Sequence, residues 1–252
     1  MNERRLDQSL VERNLVTSRH QAQQLIRSGN VLLNQRVVTR SSAPVKPLDQ
    51  TVIKEPLRYV SRAGYKLEAA FNGFSYNPQG KIALDVGAST GGFTDCLLQN
   101  GVDHVYAVDV GHGQFTPRLK DNPRVTSWEN TDIRHLPHPL PPINLAVVDV
   151  SFISLKLVIP HIVPFLSITE SHIISLLKPQ FETGRPQLVK KGIVRSTILV
   201  DKILKDLFSW FSEHNLTLVN YIPSPITGWK GNQEYLVLLK PSECQNPPIP
   251  PS

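Results

Sequence analysis

Four charged residues, Lys66, Asp149, Lys178 and Glu234, and one glycine-rich segment, Asp85-Val-Gly-Ala-Ser-Thr-Gly-Gly-Phe-Thr94, hold most of the chemical information in this 252-residue chain. A glycine-rich turn after an apolar strand binds nucleotide-like ligands, because the missing Cβ atoms let the backbone come close. Two amines and two carboxylates at strand ends around such a turn can take a proton from a hydroxyl held beside an electrophile.

The turn itself narrows the cofactor. A dinucleotide site has Gly-x-Gly-x-x-Gly, whereas Gly87, Gly91 and Gly92 are spaced Gly-x-x-x-Gly-Gly and follow an acidic residue, Asp85. Pyrophosphate favours a bare helix N-terminus, and Asp85 would repel it. An acidic strand end suits a cofactor that carries an ammonium or sulfonium. Asp109, at the next strand end, is placed to accept from ribose hydroxyls, and Asp132, after the third, from an adenine amino group. Read separately, each aspartate could equally be a turn or helix cap.

These residues need a scaffold. From residue 81 onward apolar strands alternate with amphipathic helices, the pattern of a mostly parallel α/β sheet. Strands are predicted at Ile82–Val86, His104–Asp109, Val125–Glu129, Leu145–Val150 and His172–Leu177. Helices are predicted near Lys66–Phe71, at Phe93–Gln99 and from Ser196, the last burying Ile198, Ile203, Leu204, Leu207, Phe208 and Phe211. Leu216–Ile222 and Glu234–Leu239 are close enough in sequence to form a terminal antiparallel pair. Ahead of this domain, Leu6, Leu10, Val11 and Leu15 form one helical stripe, and Thr17-Ser18 caps a second helix over Arg19–Ser28 that ends at Gly29-Asn30. Val31–Leu33, Asn34-Gln35 and Val37-Val38 read as a strand, turn and strand, Pro44 and Pro47 as breaks, and Thr51–Ile53 as a closing strand. The expected organisation is therefore a domain over 1–56, a linker over 57–65, a cofactor domain over 66–240 and a disordered, proline-rich tail over 241–252.

Charge is distributed unevenly. Residues 1–60 hold ten Lys/Arg against five Asp/Glu, and the remaining residues seventeen against sixteen, so almost all of the net charge of +6 lies on the N-terminal quarter. That placement fits an appended module that binds a polyanion, though a solvated basic face would look the same. Two cysteines, Cys96 and Cys244, are too few and too far apart for a disulfide framework or a zinc site. No apolar run opens the chain, and Leu155–Leu166 is too short and too interrupted by proline to span a bilayer. A soluble, cytoplasmic protein without metal is the expectation.

Five segments together resemble the TlyA family of rRNA 2′-O-ribose methyltransferases, historically labelled haemolysins. They are Arg58-Tyr-Val-Ser-Arg-Ala-Gly-Tyr-Lys66-Leu-Glu, Asp85–Thr94, Val147-Val-Asp149-Val-Ser-Phe-Ile-Ser-Leu, Leu177-Lys178-Pro-Gln-Phe-Glu182 and Ser224-Pro-Ile-Thr-Gly-Trp-Lys-Gly-Asn-Gln-Glu234. The resemblance implies a class I, FtsJ-like methyltransferase domain with a Rossmann-like sheet, behind a small α+β RNA-binding domain of the ribosomal-protein-S-four type. It implies S-adenosyl-L-methionine as cofactor, held by Asp85, Gly87, Ser89, Thr90, Gly91, Gly92, Phe93, Asp109 and Asp132. It implies a cytidine 2′-hydroxyl of ribosomal RNA, free or in a subunit, as substrate. It places the family's catalytic set on Lys66, Asp149, Lys178 and Glu234. Ser196 stands where the family pattern has an acidic residue, and Trp229 where it has a smaller one.

On chemical grounds Lys178 is then the general base. A lysine accepts a proton only when neutral, a state favoured by burial and by a second cation, here Lys66. Asp149 and Glu234 are expected to orient the amines and the hydroxyl without neutralising them. As ordinary ion pairs the four would couple Lys66 to Asp149 and Lys178 to Glu234. Arg4, Arg5, Arg13, Arg19, Arg27, Arg36, Arg40 and Arg62 would contact RNA phosphates. Two other classes fit parts of the pattern: a catalytically inactive RNA-binding assembly factor, and an NAD-dependent dehydrogenase, which the glycine spacing disfavours. The pore-former suggested by the old family name lacks a membrane-spanning or amphipathic membrane helix in the sequence.

Overall fold

A computed structural model describes residues 3–16, 18–27, 29–54, 58–136, 140–167, 170–183, 192–194, 196–228 and 231–242. Trp229, the residues Lys190, Lys191 and Arg195, and the expected tail beyond Ser242 lie outside the described residues. Backbone contacts divide the chain into two units, Met1–Arg62 and Ala63–Ser252.

In the first unit β1 (Arg4–Arg5) leads into α1 (Leu6–Glu12), followed by α2 (Arg19–Arg27). Leu6, Leu10, Ala22, Leu25 and Ile26 are fully or almost fully buried and form its core with Val16, Val31 and Val45. Leu15, expected on the apolar stripe, is 40% exposed, and Val16 is buried in its place. The helix has ended by then: Asn14 turns left-handed at φ 55°, so helical spacing no longer governs the next side chains. Ser18 accepts the Gln21 amide at 3.2 Å, and Gly29 closes α2 at φ +76°. β2 (Val31–Leu33) pairs with β3 (Arg36–Val37) through Asn34 and Gln35, both at positive φ as a tight two-residue hairpin requires, and with β5 (Thr51–Ile53) on its other side. Pro44, expected as a break, instead lies in β4 (Pro44–Val45), which pairs with β1. A two-stranded ribbon has only edges, where a missing N–H is tolerated.

The second unit is built on a seven-stranded sheet. Its strands are β6 (Ile82–Val86), β7 (His104–Val108), β8 (Val125–Trp128), β9 (Leu145–Val148), β10 (His172–Leu177), β11 (Leu216–Pro223) and β12 (Tyr235–Pro241), in the order β11-β12-β10-β9-β6-β7-β8. The five from β10 to β8 are parallel, and β12 inserts antiparallel between β10 and β11. Strand pairing stops slightly sooner than expected. Asp109, Glu129, Asp149, Val150 and Glu234 all lie just outside the ladder.

Both faces of the sheet are covered, which explains its nearly continuous apolar strands. On one face Leu84, Val86, Ala146, Val148, Ile173, Leu177 and Val237 pack with α6 (Leu155–Ile162) and α8 (Thr197–Glu213). The alternate residues, among them Ala83, Asp85, Val147 and Leu236, form the other buried face, on the side of α3 (Ala63–Gly73) and α4 (Gly92–Gln99), and a short α5 (Pro117–Lys120) links β7 to β8. α8 buries Ile203, Leu204, Leu207 and Phe211, but Ile198 is 81% exposed. At about 100° per residue Ile198 lies half a turn round from Leu207, so it cannot share that stripe. Ser196 caps this helix by accepting the Leu199 amide at 3.3 Å. A carboxylate at that position would do the same work, so the departure from the family pattern leaves the cap intact.

Candidate active site

Parallel strands present their carboxyl ends to one edge, and the direction of winding reverses between β6 and β9. A crevice opens at such a point. The chain emerging from β6 is the glycine turn, and the chain emerging from β9 begins with Asp149. The two cross closely: a Cβ on Gly87 would sit 2.5 Å from the Asp149 carbonyl oxygen, and the Asp149 amide donates to the Val86 carbonyl at 3.0 Å. Gly87, at φ +85°, is therefore required by protein packing. Gly91, at φ +91°, likewise faces Leu119 and Phe115. The reading that glycine makes room for ligand thus needs correcting at these two positions, since the chain's own atoms occupy the space.

Around this crevice the structure forms two ion pairs. Lys66 Nζ lies 2.6 Å from Glu234 Oε2, and Lys178 Nζ lies 2.6 Å from Asp149 Oδ1. The pairing expected from simple ion-pair reasoning is exchanged, for a topological reason. Parallel β9 and β10 leave the sheet side by side and bring Asp149 to Lys178. Lys66, on α3, reaches the start of β12. Each lysine thus has one carboxylate within contact distance. The pairs adjoin through sheet register: Leu177 is opposite Tyr235, so Lys178 and Glu234 are the next antiparallel positions. Glu234 is 2% exposed and Lys178 8%. Gly228 is packed so closely on the Glu234 carboxylate that any side chain there would overlap Oε1.

The other predicted site residues divide by role. Asp85 is buried; Thr94 donates to its Oδ2 at 2.6 Å, while Oδ1 has no partner among the described residues. Burial pushes its carboxyl up to about 7, despite the Thr94 hydrogen bond, with Asp149 and Asp109 adding repulsion. Asp109 accepts the amides of Ser89 at 2.8 Å and Gly111 at 2.6 Å, so it shapes the turn. Ser89 and Thr90 lie on that turn, Ser89 exposed and at positive φ, and the Thr90 carbonyl accepts from the Thr116 hydroxyl at 2.7 Å. Gly92 opens α4, and Phe93 is a core side chain, 2% exposed. Asp132 caps a short 3-10 helix, Ile133–His135, and binds the Arg134 guanidinium, which holds its carboxyl down at about 2.

The arginines are not equivalent either. Arg13 donates to the carbonyls of Asp49, Lys46 and Pro47 at 2.6, 3.3 and 3.4 Å and serves the fold of its own unit. Arg5 and Arg19 bind the fully buried Asp7, and Arg4 pairs with Glu12. Arg27, Arg36, Arg40 and Arg62 are exposed.

The sequence reading did not single out Ser151 or Glu182. Lys178 Nζ donates to Ser151 Oγ at 2.8 Å, and Glu182 accepts from the Ser154 hydroxyl at 2.5 Å and the Leu155 amide at 2.8 Å. Both lie inside motifs already noted, but a serine two residues past an aspartate carries no signal until the loop's course is known.

Comparison with known proteins now bears on the crevice. The FtsJ-like methyltransferase family matches residues 59–241, and the S4 domain family matches residues 4–50. Hemolysin A of Brachyspira hyodysenteriae is 41% identical, covering 92% of this chain and 98% of that protein. The 16S/23S rRNA (cytidine-2′-O)-methyltransferase TlyA of Mycobacterium tuberculosis is 38% identical, covering 94% of this chain and 89% of the relative. The chain belongs to the TlyA family. A solved structure from Streptococcus thermophilus that bears a hemolysin name superposes with a TM-score of 0.76 at 35% identity, covering 96% of this chain and 90% of that one. The family places an FtsJ-like methyltransferase domain on the crevice and an S4 domain ahead of it, so the chain is a methyltransferase. Among the described residues no helix is long and apolar enough to cross a membrane.

Proposed function

We propose that this chain transfers a methyl group from S-adenosyl-L-methionine to the 2′-hydroxyl of a cytidine in ribosomal RNA, with Lys178 as general base. The observation that carries this reading is the convergence of Lys66, Asp149, Lys178 and Glu234 at the carboxyl edge of the sheet, beside the glycine turn. The TlyA relatives, named for this reaction on rRNA, support the substrate class.

The residues fit the cofactor. Asp85, Asp109 and Asp149 bring three carboxylates to one edge, one of them with a buried oxygen that has no partner among the described residues. Such a cluster disfavours a polyphosphate and favours a ligand bearing an ammonium and a sulfonium. Asp85, the Gly87–Gly92 turn, Asp109 and Asp132 would hold it. When bound, the cofactor supplies an electrophilic methyl group.

The remaining work falls to the chain. A ribose hydroxyl must lose its proton as its oxygen attacks, and Lys178 Nζ, at the end of β10, is placed to receive it. Asp149 fixes that nitrogen. The Lys66–Glu234 pair adjoins Lys178 and can bind the incoming sugar. Alignment of the oxygen with the electrophilic carbon supplies much of the acceleration; proton removal contributes ~10²–10⁴-fold. The N-terminal unit would bind RNA through Arg27, Arg36, Arg40, Arg62 and the anchored Arg4, Arg5 and Arg19. Structured RNA is read mainly by shape and by unpaired bases, so site choice would be shared between the units. The deciding experiment maps ribose methylation by mass spectrometry in rRNA from cells with and without the protein. A new 2′-O-methylcytidine that depends on it is expected, and identical maps would reject the reading.

A further inference from the structure

If Lys178 is the base, as proposed above, its ion pair with Asp149 raises a stereochemical question. A neutral amine has two N–H donors and one lone pair, and only the lone pair accepts a proton. Asp149 Oδ1 at 2.6 Å takes one donor, and Ser151 Oγ at 2.8 Å takes the other. Both partners lie on the loop leaving β9. With both donors held there, the lone pair has one direction left.

We propose that Ser151 is a positioning residue for the transfer reaction: with Asp149 it binds both N–H groups of the neutral Lys178 amine and leaves the lone pair facing the substrate hydroxyl. Asp149 accepts an N–H from the amine in either protonation state, so its contact serves to orient the nitrogen.

The loop is built to hold Ser151 still. Phe152, directly after it, adopts φ 66°, a left-handed conformation that bulky residues rarely take and that persists only where surroundings enforce it. Two residues on, Ser154 and Leu155 bind both oxygens of Glu182 at 2.5 and 2.8 Å. Glu182 ends α7 (Pro179–Glu182), the helix that starts immediately after Lys178, which stands at its N-cap position. The base and the loop that orients it are thus fastened at two points: Lys178 to Asp149 and Ser151, and Glu182 to the start of α6. The Phe152 and Phe181 rings stand with centroids 5.1 Å apart, Phe152 on the exposed side.

The test uses the full-length protein, labelled S-adenosyl-L-methionine and rRNA, with kcat, RNA KM and cofactor Kd measured separately. Ser151→Ala is expected to lower kcat about tenfold with KM and Kd within about twofold and an unchanged cofactor-binding stoichiometry, which excludes an inactive, misfolded fraction. Ser151→Thr keeps the hydroxyl and should restore kcat to within about threefold of the parent. Glu182→Ala is expected to reduce kcat in the same manner, and Glu182→Gln, which keeps an acceptor for the Leu155 amide, to retain most of it. Parent-like kcat in Ser151→Ala overturns the proposal. So does a raised kcat, which would mean that the hydroxyl donates to the lone pair and blocks it. Failure of the unmodified protein to methylate any rRNA would instead reject the functional reading on which this inference rests.

Discussion

Replacing Gly87 with alanine places a new carbon 2.5 Å from the Asp149 carbonyl oxygen and 2.9 Å from its carbonyl carbon. Ordinary contact begins near 3.4 Å, so the chains leaving β6 and β9 must separate by about 0.9 Å. Alanine at φ +85° costs ~1–2 kcal/mol in backbone strain, and the overpacking adds ~1–3 kcal/mol. The sum, about 2–5 kcal/mol, corresponds to a fall in melting temperature of about 4 °C or more for a domain of this size. Asp149 fixes Lys178, and displacing a positioning group by ~1 Å can cost ~10²-fold in rate. Thermal melts, cofactor calorimetry and single-turnover methylation would measure these effects. Gly80→Ala is the control, because φ is +72° there but none of the described residues lies within 4 Å of the new carbon. It should show the strain cost and full activity. The reasoning is refuted if Gly87→Ala loses only cofactor affinity while turnover at saturating cofactor stays normal, since the glycine would then serve ligand clearance.

Lys178→Ala and Lys178→Arg should each lower single-turnover rates by ~10²–10⁴-fold with cofactor affinity retained; near-normal turnover in either removes the base assignment. In the cofactor-free protein Asp85 titrates near 7, well above its unfolded value of 3.8. The folded state therefore keeps a proton that the unfolded chain has lost, and stability should fall as pH rises from about 4 to about 7, by up to ~4 kcal/mol. Asp85→Asn should flatten that part of a denaturant-melt pH series. Arg13→Ala should destabilise the N-terminal unit by ~1–3 kcal/mol through three lost carbonyl contacts. Arg36→Ala should leave stability unchanged and reduce the salt slope of RNA binding by about one. The opposite outcome, checked by melts and salt-dependent binding isotherms, would reverse the roles given to these two arginines.

Strand positions, the terminal antiparallel pair and the placing of Asp149, Lys178 and Glu234 at strand ends were legible because each depends on local pattern. Apolar runs of five or six residues ended by glycine, aspartate or lysine can hardly be anything but buried strands with polar carboxyl ends. The unequal charge of the two ends of the chain was equally plain. Where the local rule lost its frame, the reading slipped. Leu15 follows the left-handed Asn14, and Ile198 sits in the first turn of α8 opposite the buried stripe.

The choice of partner for each charged group could not be read from the chain. Lys66 and Glu234 are 168 residues apart and Lys178 and Ser151 are 27, and nothing in those separations says which atoms meet. The sheet order decides it, because neighbouring strands bring their ends together whatever their distance in sequence. Asp109 gained the Ser89 amide, twenty residues away, only through folding, whereas Asp132 meets Arg134 two residues on, the local capping role the sequence also allowed, and Arg13 became a fold residue rather than a surface charge. Residue type fixes what a group can do chemically. Its partner, burial and direction come from long-range packing, and for Lys178 that means Asp149 and Ser151 on the neighbouring strand's exit.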